Sequence, residues 1–263
     1  MLTGSSLMGR GSDLWAETPE VPVSVRETSQ ASTGSDSSAG FSVAEVETGT
    51  LDPALLADGW VLLQKRGVAP TVFRSDDSDT IRIVSDRSNA LIYRSVAGTQ
   101  SSQSFLSWEW RLDEVKHRDE ASAAANPDWP IVIYAAFEVD RQYVGWWRRL
   151  VNRIVAGVAG LPESGNILTY LYSLDSVDAH GPLGQFTPNP YIPKIGMMMP
   201  LRAGYSQARD ELNVWHRERR DLMIDFEAAF GYPAARVLYI AISADSEDTE
   251  SMSIARVRGL RLE

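Results

Sequence analysis

From Phe105 to Asp113 the chain reads Phe-Leu-Ser-Trp-Glu-Trp-Arg-Leu-Asp. With a period of two, Leu106, Trp108, Trp110 and Leu112 share one face, and Ser107, Glu109, Arg111 and Asp113 share the other. Successive side chains of a strand point to opposite sides, so the run has an apolar face and an ionic face. A helix would place the two tryptophans about 200° apart and lose that division. The pattern predicts a central strand with its apolar side in a core. Its ionic side is then either plain surface or the floor of a groove.

Other short β-branched and aromatic runs surround it. Val61–Leu63 follows an Asp58-Gly59 turn signal, and Thr71–Phe73, Thr80–Val84 and Ala90–Arg94 are separated by Asp, Ser and Asn. Ile131–Val139 is almost wholly apolar, as in a strand covered on both faces. Asn166–Leu174 and Val237–Ser243 read as further strands. Ser253–Leu262 alternates Ala255 and Val257, then changes phase at Gly259, which predicts a bulge. Such spacing describes a mainly β fold, an antiparallel β-sandwich of jelly-roll-like kind, rather than βαβ units.

Two amphipathic helices are expected on it. In Trp146–Gly160, Trp147, Leu150, Val151, Ile154, Val155 and Val158 make one stripe, with arginines opposite. In Glu218–Gly231, Leu222, Met223, Phe226, Ala229 and Phe230 make the other, ended by Gly231. Residues 1–40 read as a disordered leader, because Glu27–Gly40 is Ser, Thr, Gly, Asp and Gln with almost nothing to bury. Met1–Val25 has one early basic residue, Arg10, and no apolar run of signal-peptide kind. A start placed downstream of a real signal is the alternative. Residues 41–263 are expected to form a single β-sandwich domain.

Composition then removes several chemistries. A net charge of −10 argues against a general nucleic-acid binder and against docking on anionic membranes. No apolar run is long enough for a membrane-spanning helix. With no cysteine there is no disulfide, thiolate metal site or cysteine nucleophile. Nucleophile-elbow, phosphate-loop, dinucleotide and zinc-helix motifs do not occur. His117, His180 and His216 lack ligand-like spacing and read as surface or hydrogen-bonding residues. Nothing here sets an oligomeric state.

A glycosidase needs two carboxyl groups about 5.5 Å apart for retention or up to about 9.5 Å for inversion. Glu109 and Asp113 sit four strand residues apart, roughly 13 Å, which is too far. Glu109 and Arg111 are near enough to pair. A catalytic couple would need a neighbouring carboxylate, for which Asp128 and Asp175 are candidates. No catalytic residue is assigned. Asp245, Glu247 and Asp248 lie in an acidic turn, and a structural calcium there is the one candidate cofactor.

Eight tryptophans leave some for a surface role. Trp129, Trp146 and Trp215 stand beside polar residues, where an indole is often half exposed and can stack on a sugar ring. Arg219 and Arg220 offer guanidiniums that suit an acidic sugar or, more plainly, Asp221 or Asp225.

The chain also resembles a bacterial family, catalogued as domain of unknown function 3047, over about Phe41–Glu263. The landmarks are Asp58-Gly59-Trp60, Ser85–Leu91, Leu106–Arg111, Asp128-Trp129-Pro130, Leu168-Thr169-Tyr170, Asn189-Pro190-Tyr191, Arg220–Phe226 with Phe230-Gly231, and Ala244–Glu250. The resemblance implies a β-sandwich of carbohydrate-binding kind on exported, often periplasmic, proteins, and it supplies no catalytic residues. This chain departs from the family's aromatic Asn-Tyr-x-Trp segment at Leu168–Tyr172 and from its Asp-Asn-Thr-Gly turn at Glu247–Glu250.

The leading expectation is non-catalytic binding of a carbohydrate or cell-envelope glycan. The expected ligand-binding residues are Glu109, Arg111, Asp113, Asp128, Trp129, Tyr170, Trp215 and Arg219. The alternatives are a glycan-active hydrolase or lyase with paired carboxylates, and an envelope protein-interaction module.

Overall fold

A computed structural model of the chain describes residues 46–48, 50–96, 104–116, 129–138, 165–174, 181–192, 195–204, 208, 210–247 and 251–263. Backbone contacts separate Met1–Ser37 from Ser38–Glu263. The expected leader, residues 1–40, and the expected helix at 146–160 lie outside the described residues.

In chain order the elements are β1 (Val46–Thr48), α1 (Pro53–Ala57), β2 (Trp60–Lys65), β3 (Val72–Ser75), β4 (Thr80–Asp86), β5 (Asn89–Ser95), β6 (Phe105–Lys116) and β7 (Trp129–Phe137). They continue with β8 (Ile167–Tyr172), β9 (Thr187–Pro188), β10 (Gly196–Arg202), β11 (His216–Asp221), α2 (Leu222–Phe230), β12 (Val237–Asp245) and β13 (Met252–Leu262). An eight-stranded sheet runs β1-β2-β5-β12-β7-β8-β10-β9, and a five-stranded sheet runs β11-β6-β13-β4-β3. The expected jelly-roll-like sandwich is therefore what the chain adopts. One pair departs from the antiparallel rule: β10 lies parallel to β8.

The core lies between the sheets. Leu106, Trp108, Trp110 and Leu112 of β6 are buried there, beside Ala255 and Val257 of β13 and Ile81 and Ile83 of β4. Trp108 meets Tyr170 of β8 with ring centroids 5.5 Å apart, and Trp110 meets Tyr172 at 5.7 Å. Such aromatic pairs contribute about 0.5–1.5 kcal/mol each beyond the area they bury. The two-faced reading of Phe105–Asp113 holds. So does the predicted irregularity in β13: its register with β6 shifts between Arg258 and Arg261, around Gly259 at φ 62°.

The second helix needs a correction at its start. Residues 216–221 form β11, paired antiparallel with β6, and the helix begins at Leu222. The alternation His-Arg-Glu-Arg-Arg-Asp has strand period, and Asp221 then caps the helix by accepting from Met223 N and Ile224 N. Gly231 ends the helix in the left-handed conformation, as expected.

Two of the sequence landmarks meet in a knot of buried hydroxyls. Ser85 Oγ lies 2.7 Å from Ser246 Oγ, and Thr71 Oγ1 donates to the Ala244 carbonyl. This ties the turn between β4 and β5 to the end of β12, joining the two sheets at one corner. Among the described residues no helix is long and apolar enough to cross a membrane.

Candidate functional site

The face of the five-stranded sheet turned away from the core carries the ionic residues. Because Trp108, Trp110 and Val257 point inward, their neighbours Ser107, Glu109, Arg111 and Arg258 point outward. Pairing of β11 and β13 on either side of β6 puts Arg217 and Arg258 directly opposite Glu109. Glu109 Oε1 accepts from Arg217 Nε at 3.0 Å, and Oε2 accepts from Arg258 Nε at 2.8 Å. At the end of β13, Glu263 accepts from Ser107 Oγ at 2.6 Å, Arg219 Nε at 3.1 Å and Arg261 Nε at 3.2 Å. These groups line a depression of about 310 Å³, with Asp79 and Gly259 on its rim.

Trp215 stands beside it. Its ring lies under the guanidinium of Arg258, 4.0 Å from the centroid, and near that of Arg111 at 4.7 Å. Arg111 itself donates to Asp113 Oδ1 at 2.6 Å. The sequence-based pairing of Glu109 with Arg111 is thus replaced by Glu109 with Arg217 and Arg258, its direct cross-strand neighbours, while Arg111 turns to Asp113. Arg256 adds pairs with Asp76 (2.6 Å) and with Asp113.

These contacts set the protonation of the site. The Arg258 hydrogen bond, with that of Arg217, holds the Glu109 carboxyl below its ordinary value. The Ser107 and Arg219 hydrogen bonds push Glu263 down to about 2. Both are carboxylates throughout the neutral range, and neither has a proton to give. Burial, then the charges of Arg256 and Arg258, lower Arg111. Four guanidiniums still reach solvent: the side chains of Arg217, Arg219, Arg258 and Arg261 are 82%, 53%, 42% and 62% exposed.

Of the residues singled out in the sequence, Glu109, Arg111, Asp113, Trp215 and Arg219 come together on this face. Tyr170 and Trp129 do not. Tyr170 is in the core, its hydroxyl donating to Asp225 Oδ2 at 2.7 Å. Asp225 also receives the Arg220 fork at 2.8 and 2.5 Å, which is the plainer pairing expected for Arg220. Trp129, expected to be half exposed, is buried on the far face of the eight-stranded sheet with Val132, Leu171 and Met198. Asp128, Asp175, Trp146, His117 and His180 lie outside the described residues.

In the acidic turn, Asp245 Oδ1 accepts from Glu247 N, and Glu247 Oε1 pairs with Lys65 Nζ at 2.6 Å. Asp248 lies outside the described residues. Among the described residues no group of three or more His, Cys, Asp or Glu side chains is arranged to hold a metal.

A second polar cluster lies on the inner side of β11, where the sequence suggested no site. Arg202 of β10 stands between Glu211 and Glu218, 3.5 Å from each, and His216 Nε2 is 3.2 Å from Glu211. Burial raises Glu218, opposed by Arg202 and the Trp110 indole. Burial lowers His216 and raises Tyr172 to about 12. Tyr172 is buried, and its hydroxyl has no hydrogen-bond partner among the described residues. Arg258, Glu263, Arg217 and Glu218 were all missed in the sequence. The available signal was the alternation of Arg256 and Arg258 with core residues on β13, which mirrors that of β6.

None of the curated proteins matches the chain. Among solved structures, the chain is similar to the xyloglucanase domain of a type three effector from Sinorhizobium fredii in complex with cellobiose. That likeness has a TM-score of 0.43 and 11% identity, and covers 84% of this chain and 99% of the other. A thermo-stable cellulase derived from a cellulase of Rhodothermus marinus is similar at a TM-score of 0.42 and 10% identity, over 83% and 98%. A family model matches residues 58–261, most of the chain, with the same family that the sequence landmarks indicate. The chain belongs to the family described as protein of unknown function (DUF3047).

Proposed function

We propose that the protein is a non-catalytic module that binds carbohydrate, of the kind found in cell-envelope glycans, on the outer face of its five-stranded sheet. The observation that carries this reading is the depression around Glu109 and Glu263. It sets ionised acceptors on a rigid strand floor, exposed guanidinium donors around them, and an indole at the side. Sugar hydroxyls both donate and accept, so such a mixed lining suits them, and an aromatic flank suits their C–H faces.

The same geometry argues for binding over hydrolysis at this spot. General acid catalysis on a glycosidic oxygen needs one carboxyl group that keeps its proton, and here arginines and Ser107 hold both carboxyls down. The test is retention of the full chain on a panel of soluble and insoluble polysaccharides, with assay of new reducing ends. Saturable retention without new reducing ends supports the reading. Failure to bind any polysaccharide overturns it.

One observation favours a second reading, a glycan-active hydrolase. Glu218 is a carboxyl raised by burial, and it shares the Arg202 guanidinium with Glu211. Release of reducing sugar that disappears in the Glu218→Gln variant would establish that reading in place of the first.

A further inference from the structure

Resting on the carbohydrate reading, we propose that the ligand is a polyanionic glycan, with a carboxylate or sulfate on successive sugars, laid across the strands of the five-stranded sheet over a row of four arginines. Strand register builds the row. Arg111 of β6 pairs with Arg256 of β13, Arg256 with Arg82 of β4, and Arg82 with Arg74 of β3. All four project from the outer face, because Trp110, Val257, Ile83 and Phe73 beside them are core residues. At a strand spacing of about 4.8 Å the row spans roughly 14 Å.

Like charges directly opposite one another on a sheet face repel, so a row of this kind requires anions. The protein supplies them to only half of it. Asp113 serves Arg111 and Arg256, and Asp76 serves Arg256. Arg82 and Arg74 have no ion pair among the described residues, and Arg82 Nε is shielded from solvent with no acceptor. Beside the row, at the next outward positions along β6 and β13, lies the depression, where Arg217 and Arg258 flank Glu109. The face is therefore rich in guanidinium on a chain whose net charge is −10. The spacing of the row is comparable to one sugar residue, and guanidinium is the side chain whose planar fork fits carboxylate and sulfate oxygens.

The carboxylates at the centre select the polymer. Glu109 and Glu263 already accept from arginines and Ser107 and have lone pairs left for further donors, which a glycan provides through its hydroxyls and a phosphodiester backbone does not.

The experiment is calorimetric titration of the full chain with polygalacturonate, dextran sulfate, neutral dextran, xyloglucan and single-stranded DNA at low and moderate salt. Wild type is compared with the R74Q/R82Q double variant, whose two positions carry no ion pair that folding would lose. The expected result is binding to one or both acidic glycans at least about tenfold tighter than to the neutral ones, weakening as salt rises. The double variant should lose about tenfold on the acidic glycans and nothing on the neutral ones. Polygalacturonate and dextran sulfate separate carboxylate from sulfate as the recognised group. Equal affinity for neutral and acidic glycans, or no effect of R74Q/R82Q, overturns the inference and leaves the carbohydrate reading standing. Tighter binding to DNA overturns the inference in favour of a nucleic acid. Absence of binding to any polymer overturns both.

Discussion

Arg258 of β13 stands directly across from Glu109 of β6 and donates to its carboxylate through Nε at 2.8 Å. Arg217 closes on the same carboxylate from β11, so one side chain braces three strands. In the Glu109→Gln variant the shape is kept and the countercharge is lost. Because Arg217 is mostly in water, screening keeps the cost small, about 1 kcal/mol. Urea unfolding would read this as a lower midpoint at unchanged slope. The loss should shrink in high salt.

Acid stability follows from the two depressed carboxyls. A group whose folded pKa lies below its unfolded value contributes stability above the unfolded value and loses it as pH falls through the folded one. For Glu263 that window runs from 4.5 down to about 2, and Glu109, also lowered, loses its share as pH falls below 4.5. The urea midpoint of the wild type should exceed that of an E109Q/E263Q variant at pH 7, and the gap should close on acidification through this window. Glu218 behaves in the opposite sense. Its raised pKa means that the folded state is penalised as pH climbs past 4.5, so Glu218→Gln should gain stability at neutral pH relative to wild type.

The Asp225 site in the core tests the structural role of Tyr170. Asp225 is almost fully buried between the Arg220 fork and the Tyr170 hydroxyl. Asp225→Ala leaves a half-buried guanidinium unpaired and should cost about 3–5 kcal/mol. Tyr170→Phe removes one hydrogen bond and should cost about 1–2 kcal/mol. Neither is expected to change glycan affinity in the protein that remains folded, since both lie on the inner side of the sheet.

How far these features could be read from the chain depends on whether they are local. The alternation in Phe105–Asp113 is a property of nine successive residues, and it placed both tryptophans in the core and the ionic side chains outside. The bulge at Gly259 and the cap at Gly231 were equally local. The partners of Glu109 were not, because they come from β11 and β13, and strand order leaves no mark on either segment. Trp129 shows the same limit: the polarity of its neighbours suggested exposure, while its sheet put it under other side chains. Residues 218–221 were read as helix because charged residues flanking a true helical stripe carry no burial signal of their own.

Gly259 holds the rim of the depression through its conformation. At φ 62° a side chain is strained, although a Cβ there meets only the ends of Arg261 and Asp79, at 3.5 and 3.7 Å. Gly259→Ala should therefore cost about 1–2 kcal/mol, from backbone strain and not from crowding. Thermal unfolding checks the cost. Weaker glycan binding is expected with it, because the bulge sets the direction of Arg261 and Glu263.

The most direct test uses Trp215, the indole beside the proposed ligand. Intrinsic fluorescence would be titrated with the polysaccharide that the retention panel selects, in wild type and in Trp215→Phe, with circular dichroism confirming that the variant is folded. A saturable change in the wild type that is lost or strongly reduced in Trp215→Phe is the predicted result. An unchanged response in Trp215→Phe would contradict binding on this face of the sheet.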